Sequence, residues 1–408
     1  KPFWREHNHD PQPWRRLRIG FISPDINNHA VSYFSEPVLA GLDRNHFEVF
    51  CFYLRKGGDA ITQRYQKMTT QFVSLAAMTP ERQADFIRAQ KIDVLVDLAG
   101  HSGENGLRTM AHKPAPVQVT WMGYPATTGL SAIEWRVTDS VVDPPGSEGE
   151  YTETLIRLPP PFCVYRPAIR TVLQRFQPEY AVHEAPALKN GYITFGCCNN
   201  LAKLSEHVLV LWARILTRLP TARLLLEAQS LETEQGRAWL LDRCAAAGMD
   251  TTRVELLARD SNRQYLTYHK IDIALDPFPL TGGTTSFDLL WMGVPLVAMA
   301  GDAYRSRMGV SLLTALGATD WIASSEDEYV DIAARLAANP RVLNAARLRQ
   351  RGAMERSPLM NEARFVQLFD DALRLAWLNW CARHALPGRA EAEISHRVQT
   401  WWANRPVE

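Results

Sequence analysis

One pattern limits this chain more than any other. Short runs of β-branched and aliphatic residues, each followed by helical periodicity, recur along most of its length. Runs of this length bounded by turn residues read as strands, and strands alternating with helices read as a parallel sheet joined by crossovers. The first half offers LRIGFI (Leu17–Ile22), FEVFCFYL (Phe47–Leu54), IDVLVDLAG (Ile92–Gly100) and PVQVTWMGYP (Pro116–Pro125). The second offers YITFGCC (Tyr192–Cys198), ARLLLEA (Ala222–Ala228), RVELLA (Arg253–Ala258), IDIALD (Ile271–Asp276) and PLVAMA (Pro295–Ala300). Between them lies a stretch rich in proline and poor in periodicity. A chain of 408 residues, 46% of them hydrophobic, can fill two ordinary cores. The expected fold class is therefore α/β, two doubly wound domains in tandem: residues 1–166, a linker at 167–191, and residues 192–357. Residues 358–408 read as a helical tail, with Phe365, Leu368, Phe369, Leu373 and Trp377 on one stripe that serves packing. No repeat of solenoid length is present.

Charge and cysteine usage exclude several classes. Forty-five basic and 44 acidic residues leave a formal net charge of +1 with no long run of either sign, so nucleic acid and anionic membrane are not expected partners. The six cysteines form no CxxC pair, and Cys197 and Cys198 sit inside an apolar run, which points to buried free thiols in a reducing, cytoplasmic setting. No metal site is expected. No stretch has the length of a membrane span, and the first residues do not form a signal peptide. Because the chain opens on Lys1 rather than methionine, we expect it to come from something longer.

Open α/β sheets bind ligands beyond the carboxyl ends of their strands, so the residues after each run carry the information. The first run is followed by SPDINNHAVSYF, with His29 at the mouth of a helix; the third by HSGENG, with Asp97, His101 and Ser102; the fourth by MGYPATTG. In the second half, CCNNLAKLSE puts Asn200 and Lys203 after a strand, and TGGTT follows IALD. Gly282 and Gly283 permit close backbone approach, while Thr284, Thr285 and Ser286 open a helix whose first N–H groups lack internal partners. Such a helix mouth can cradle an anion, at ~0.3–1 kcal/mol per charge. Lys203 would add charge-assisted hydrogen bonds of roughly 1.5–3 kcal/mol. Asp288, one turn further on, is placed to accept from a vicinal diol such as a ribose. The alternative at this point is a capped helix after a tight turn. Neither a Walker A loop nor a true GxGxxG occurs, which disfavours a P-loop or a simple dinucleotide fold.

Five separate blocks carry a resemblance: RIGFISPDINNHAVSYF, VDLAGHSGENGLRTMAHKPAPVQVTWMGYPATTG, ITFGCCNNLAKLSE, IDIALDPFPLTGGTTSFDLLWMGVPLVAMAG and SRMGVSLL. In order and spacing, over nearly all of residues 16–377, the chain resembles the glycosyltransferase family that contains O-GlcNAc transferase and SPINDLY, its bacterial members especially. The resemblance implies a GT-B architecture, two Rossmann-like domains facing a cleft, with the nucleotide held mainly by the C-terminal one and no metal required. It implies an inverting enzyme using UDP-sugars or, in SPINDLY, GDP-fucose. Lys203 then corresponds to the lysine on the donor diphosphate, and Thr284, Thr285 and Asp288 to phosphate and ribose contacts. Asn200 stands where the eukaryotic enzyme has a glutamine, and Arg259 would offer only backbone groups to the base. His29 corresponds to a histidine proposed as catalytic base, and Ser102, Met122 and Gly123 fall where the family touches the sugar. Gly283, Leu280 and Gln264 depart from the human-type residues, which leaves sugar identity open. The protein acceptor would be recruited by tetratricopeptide repeats that this sequence does not contain.

The expected function is transfer of a sugar, GlcNAc from UDP-GlcNAc, to Ser or Thr hydroxyls of proteins. Lys203 and the helix mouth from Gly283 to Ser286 would neutralise the leaving diphosphate; His29 would accept the proton, with Asp97 and His101 as rivals. The alternatives are fucosyl transfer from GDP-fucose, a GT-B nucleotide-sugar epimerase, and a non-catalytic nucleotide-sugar binder.

Overall fold

The structure, a computed structural model, describes residues 4–168, 177–260 and 265–384. The chain divides into two units, Lys1–Tyr165 with Asn361–Glu408, and Arg166–Met360.

The first unit is built on β1 (Leu17–Ser23), β2 (Phe47–Tyr53), β3 (Gln71–Ser74), β4 (Val94–Asp97), β5 (Val117–Trp121), β6 (Trp135–Asp139) and β7 (Thr154–Leu158). These lie in the order β3-β2-β1-β4-β5-β6-β7, every pair parallel. The second unit uses β8 (Thr194–Cys197), β9 (Arg223–Ala228), β10 (Val254–Ala258), β11 (Ile273–Leu275), β12 (Leu296–Met299) and β13 (Ile322–Ala323), in the order β10-β9-β8-β11-β12-β13, again all parallel. In each unit the chain winds outward from its first strand, then returns to that strand's other side. The reversals fall between β1 and β4 and between β8 and β11, the edges where such sheets hold ligands. The α/β class expected from the sequence is thus what the chain adopts.

Local chemistry accounts for the elements that fix these edges. Helix Glu206–Arg218 is opened by Ser205, whose hydroxyl accepts the Val208 N–H at 3.2 Å, with Glu206 in its first turn and Arg218 in its last. Val208, Leu211, Trp212 and Ile215 recur at helical spacing and are fully buried with Leu224, Leu226 and Tyr329. Each aliphatic side chain so buried contributes ~1.5–3 kcal/mol. From this core the Trp212 indole N–H donates to the Tyr329 hydroxyl at 3.4 Å, and that hydroxyl donates to the Asp276 carbonyl at 3.0 Å, anchoring the end of β11.

In the first unit, helix Glu362–His384 buries all five residues of its apolar stripe, so packing is what the stripe does. Trp121, the last residue of β5, lies 4.6 Å from Phe369 and 5.9 Å from Phe365, ring centre to ring centre. The same helix holds the N-terminal segment: Arg374 donates to the carbonyls of Pro13 at 2.9 Å and Arg15 at 3.0 Å. What the sequence presents as a tail is therefore a layer of the first unit. All six cysteines are free and buried, as expected. No helix among the described residues is long and apolar enough to cross a membrane.

The proline-rich stretch read as a linker is, over its described part, built into the second unit. Asp272 accepts the N–H of Ala187 at 3.0 Å and of Thr194 at 2.8 Å. Arg347, fully buried, donates to the carbonyls of His183 at 2.9 Å, Ile271 at 2.6 Å and Tyr268 at 3.0 Å. Burial lowers its guanidinium to about 10, against the pull of Asp272, so it remains charged at neutral pH. Removing this cation takes a donor from the carbonyls of His183, Ile271 and Tyr268, of which Tyr268 keeps the Ile271 N–H at 3.3 Å, and leaves Asp272 without its counter-charge. Arg347→Met is expected to destabilise the second unit by roughly 3–5 kcal/mol, read from urea unfolding monitored by circular dichroism.

Candidate functional site

The β8/β11 edge gathers Asn200, Lys203 and the turn from Leu280 to Ser286. Past β8, Asn200 accepts the Ala202 N–H at 3.0 Å and so starts the short turn Leu201–Lys203. Its own side chain is exposed. That turn aims Lys203 back across the edge, where its ammonium donates to the Thr281 carbonyl at 2.7 Å. Burial lowers the Lys203 pKa, while Asp276 and Cys197 oppose the shift.

Past β11 the backbone makes a tight excursion through a cis Phe278–Pro279 bond and half-buried Leu280 before the helix Thr284–Trp291 begins. Two clamps hold it. Thr281 donates its N–H to the Arg305 carbonyl at 2.9 Å and its hydroxyl to the same oxygen at 3.0 Å. Gly282 donates its N–H to Asp276 Oδ1 at 2.7 Å. A Cβ on Gly282 would sit 2.1 Å from Ser286 Oγ and 2.8 Å from Asp276 Oδ1, so a side chain here would have to displace both. Gly283 occupies the cap position without a side-chain cap, and the N–H groups of Thr284 and Thr285 have no acceptor among the described residues. Both threonines are half-buried, whereas Ser286 is fully buried. A lysine held on Thr281 and two unpaired amides at the helix N-terminus that follows are groups able to bind an anion.

The remaining donor residues are placed unevenly. Asp288 is 2% exposed, on the buried side of the same helix. The Arg259 guanidinium donates to Glu227 at 3.1 Å and to the Cys198 carbonyl, and its N–H donates to the Ala228 carbonyl at 3.3 Å, so the residue ties β8, β9 and the end of β10 together. Gln264 lies outside the described residues. The sequence reading missed Asp276 altogether, although an acid closing an otherwise apolar strand run is a visible signal.

In the first unit the loops after β4 and β5 interlock. Asp97 is fully buried and accepts from the Ala99 N–H at 3.1 Å, the Gly100 N–H at 2.9 Å and the Thr120 hydroxyl at 2.9 Å. Burial raises its pKa and these bonds oppose the rise. With both oxygens engaged, Asp97 shapes the turn; as a base it is badly placed. Met122 takes φ +52°, and a Cβ on Gly123 would fall 1.9 Å from the Leu98 carbonyl oxygen. The Ser102 hydroxyl donates to the Ala99 carbonyl.

Two histidines differ in readiness. His29, with 44% of its side chain exposed, turns Nδ1 toward the Val31 N–H at 3.3 Å and the buried Asp25 carboxylate at 3.8 Å. Its Nε2 has no hydrogen bond among the described residues. Burial lowers its pKa below 6.5, with Asp25 opposing and Arg55 reinforcing the shift, so the ring is neutral at pH 7. Arg55 reaches Asp25 at 3.7 Å and also pairs with Glu104. His101 is exposed; its Nε2 lies 3.0 Å from the Thr128 carbonyl, which fixes the proton there and leaves the Nδ1 lone pair available. Tyr124 meets the His101 ring edge-on at 5.3 Å. Among the described residues no group of three or more His, Cys, Asp or Glu is placed to hold a metal ion.

Known proteins resemble this chain in sequence and in fold. The pattern of Glycosyl transferase family 41 matches residues 1–175 and 179–369. A Solanum lycopersicum protein named "Probable UDP-N-acetylglucosamine--peptide N-acetylglucosaminyltransferase SPINDLY" is 37% identical over 98% of this chain and 42% of its own length. An Arabidopsis thaliana protein of the same description but called SEC is 30% identical over 90% of this chain and 38% of its own. The chain thus spans about two fifths of the length of the curated relatives it matches. Among solved structures, a Lys-to-Met mutant of Thermobaculum terrenum O-GlcNAc transferase superposes with a TM-score of 0.85 at 35% identity, covering 92% of this chain and 70% of that one. That likeness establishes the GT-B fold.

The interlocked loops give a direct check. Gly123→Ala forces its methyl group into the Leu98 carbonyl, and a stability loss of roughly 1–3 kcal/mol is expected in urea unfolding.

Proposed function

The chain belongs to glycosyl transferase family 41, and from that membership and the geometry of its second unit we propose that it transfers N-acetylglucosamine from UDP-GlcNAc to serine or threonine hydroxyls of proteins. The observation that carries this reading is the pairing of Lys203 with the unpaired Thr284 and Thr285 amides at the β8/β11 edge. A nucleoside diphosphate leaving group needs such a cradle, because charge develops on its bridging oxygen as the bond to the anomeric carbon breaks. The protein acceptor comes from the relatives, which are named as peptide N-acetylglucosaminyltransferases.

In the proposed inverting step, the acceptor oxygen bonds to the anomeric carbon as the carbon–oxygen bond to the diphosphate breaks. The hydroxyl proton passes to a base, and Lys203 with the helix amides takes the leaving charge without a metal. His29 serves as base through Nε2, which requires Nδ1 to carry its proton toward Asp25 instead of accepting the Val31 N–H. His101 is the rival through Nδ1. GDP-fucose as donor is the second reading, favoured by the higher identity to the SPINDLY-named relative, 37%, than to the SEC-named one, 30%.

Titration calorimetry with UDP and with GDP, in metal-free buffer, tests the donor assignment. UDP is expected to bind, and Lys203→Ala to weaken it roughly 10- to 150-fold, the equivalent of 1.5–3 kcal/mol. Preference for GDP would move the reading to fucosyl transfer, and unchanged UDP affinity in the variant would overturn the cradle. For the base, kcat/KM of the wild type is expected to hold from neutral pH downward and to fall only below pH 6.5, where the ring gains its proton. His29→Ala should lose about 10²–10⁴ in kcat together with that acid limb. Retention of the limb in His29→Ala and its loss in His101→Ala would transfer the role to His101.

A further inference from the structure

Each unit ends its returning strand with a buried aspartate that accepts an N–H from the loop beyond it: Asp97 from Gly100 at 2.9 Å, Asp276 from Gly282 at 2.7 Å. The two are not equally satisfied. Asp97 has both oxygens hydrogen-bonded, whereas Asp276, 1% exposed, leaves Oδ2 without a partner. Room for that oxygen is kept by Gly309, where a Cβ would lie 2.5 Å from it.

The groups around Asp276 are few. Lys203 faces it from the turn after β8 and Cys197 from the end of β8 itself. From helix Glu326–Ala337, Tyr329 bonds its carbonyl. The Ser286 hydroxyl lies near from helix Thr284–Trp291, without a hydrogen bond of sound geometry. Burial holds the Cys197 thiol up at about 11 and Tyr329 well above 10, so neither changes charge near neutrality. Among the described residues Lys203 is the cation that acts on Asp276, and its ammonium is held on the Thr281 carbonyl, beside the amide that Asp276 fixes.

We propose that Asp276 is the positioning residue of the donor cradle, and that a nucleotide sugar is taken up together with a proton on its carboxyl. The proposal rests on the donor assignment above. A dianionic diphosphate arriving at the Thr284 amides shares Lys203 with Asp276, which weakens the charge–charge attraction that, together with the Gly282 N–H, favours an ionised carboxylate at a site closed to water. The unpartnered Oδ2 is the atom that receives the proton, and Oδ1 keeps Gly282 in place in either state. Burial already raises this carboxyl to about 7 in the free protein, against the Gly282 N–H and the Lys203 charge, so a modest further rise on binding falls within reach of experiment.

UDP-GlcNAc is the probe, since its diphosphate does not itself titrate near neutrality; GDP-fucose replaces it if the calorimetry above prefers GDP. At about pH 8, titration in buffers of different ionisation enthalpy should show uptake of a substantial fraction of one proton, and affinity should fall by up to about tenfold per pH unit above 7. Asp276→Asn keeps the acceptor for Gly282 but cannot ionise. It should bind with no proton uptake, show a flat pH profile, and bind more tightly than wild type at about pH 8.5. A merely structural carboxylate predicts the reverse, weaker binding at every pH. If the variant does not fold, the wild-type buffer series decides alone: heat independent of buffer overturns the proposal. Proton uptake that persists in a folded Asp276→Asn assigns the proton to Lys203 and overturns it too. Binding of neither nucleotide sugar overturns the donor assignment and this proposal together, whereas binding without proton exchange overturns this one only.

Discussion

A parallel strand can be followed by its neighbour only through a crossover on one face of the sheet, and where successive crossovers diverge the sheet edge is left uncovered. In each unit that divergence occurs beside the first strand, between β1 and β4 and between β8 and β11. His29, Asp97 and His101 follow the strands of the first edge, and Lys203 and the Gly282–Ser286 turn those of the second. The backbone emerging there has polar groups that no helix covers, so each loop must be pinned by side chains or leave its amides to a ligand. Both answers are present. The Gly100 and Gly282 amides are pinned by aspartates, while the Thr284 and Thr285 amides are left open.

The open amides sit on a backbone that is held rigid from behind. A helix N-terminus contributes modestly to anion binding when it is free to move, since the ligand must then order it. Here the loop is fixed from three sides: by Asp276 at Gly282, by Arg305 at Thr281, and by the Trp212–Tyr329 chain of hydrogen bonds that ends on the Asp276 carbonyl. The core helix Glu206–Arg218 therefore reaches the site through two side chains. The first unit uses aromatic packing to the same end, with Trp121 held against Phe369 immediately before the turn at Met122 and Gly123.

Much of this was legible in the residues. Nine strand runs fall on strands of the structure, because a strand buried on both faces is a continuous aliphatic run and such runs are hard to mistake. The strands that escaped notice are short or carry polar residues: QFVS of β3, WRVTD of β6 with Arg136 buried, TLIRL of β7, and the two residues of β13. Their identity depends on neighbours, which periodicity along one segment does not report. The TGGTT turn, Lys203 and the glycine after Met122 were visible because glycine and charge at a strand end are rare without a reason. Asp276 was passed over although an acid at the end of an apolar run can be seen in the sequence; its burial and its unpaired oxygen are visible in the structure alone. The proline-rich stretch misled for the opposite reason, since proline marks irregular backbone and says nothing of whether Asp272 and Arg347 hold that backbone in place.

The helix Glu362–His384 has one further consequence. It completes the first unit, yet more than 190 residues of another unit separate it from the rest of that unit's chain. During synthesis the first sheet emerges early, and the aromatic face around Trp121 stays uncovered while the whole second sheet is made. The second unit, contiguous in sequence, can finish folding first. The order in which the two sheets are made and the order in which their units can be completed are thus inverted.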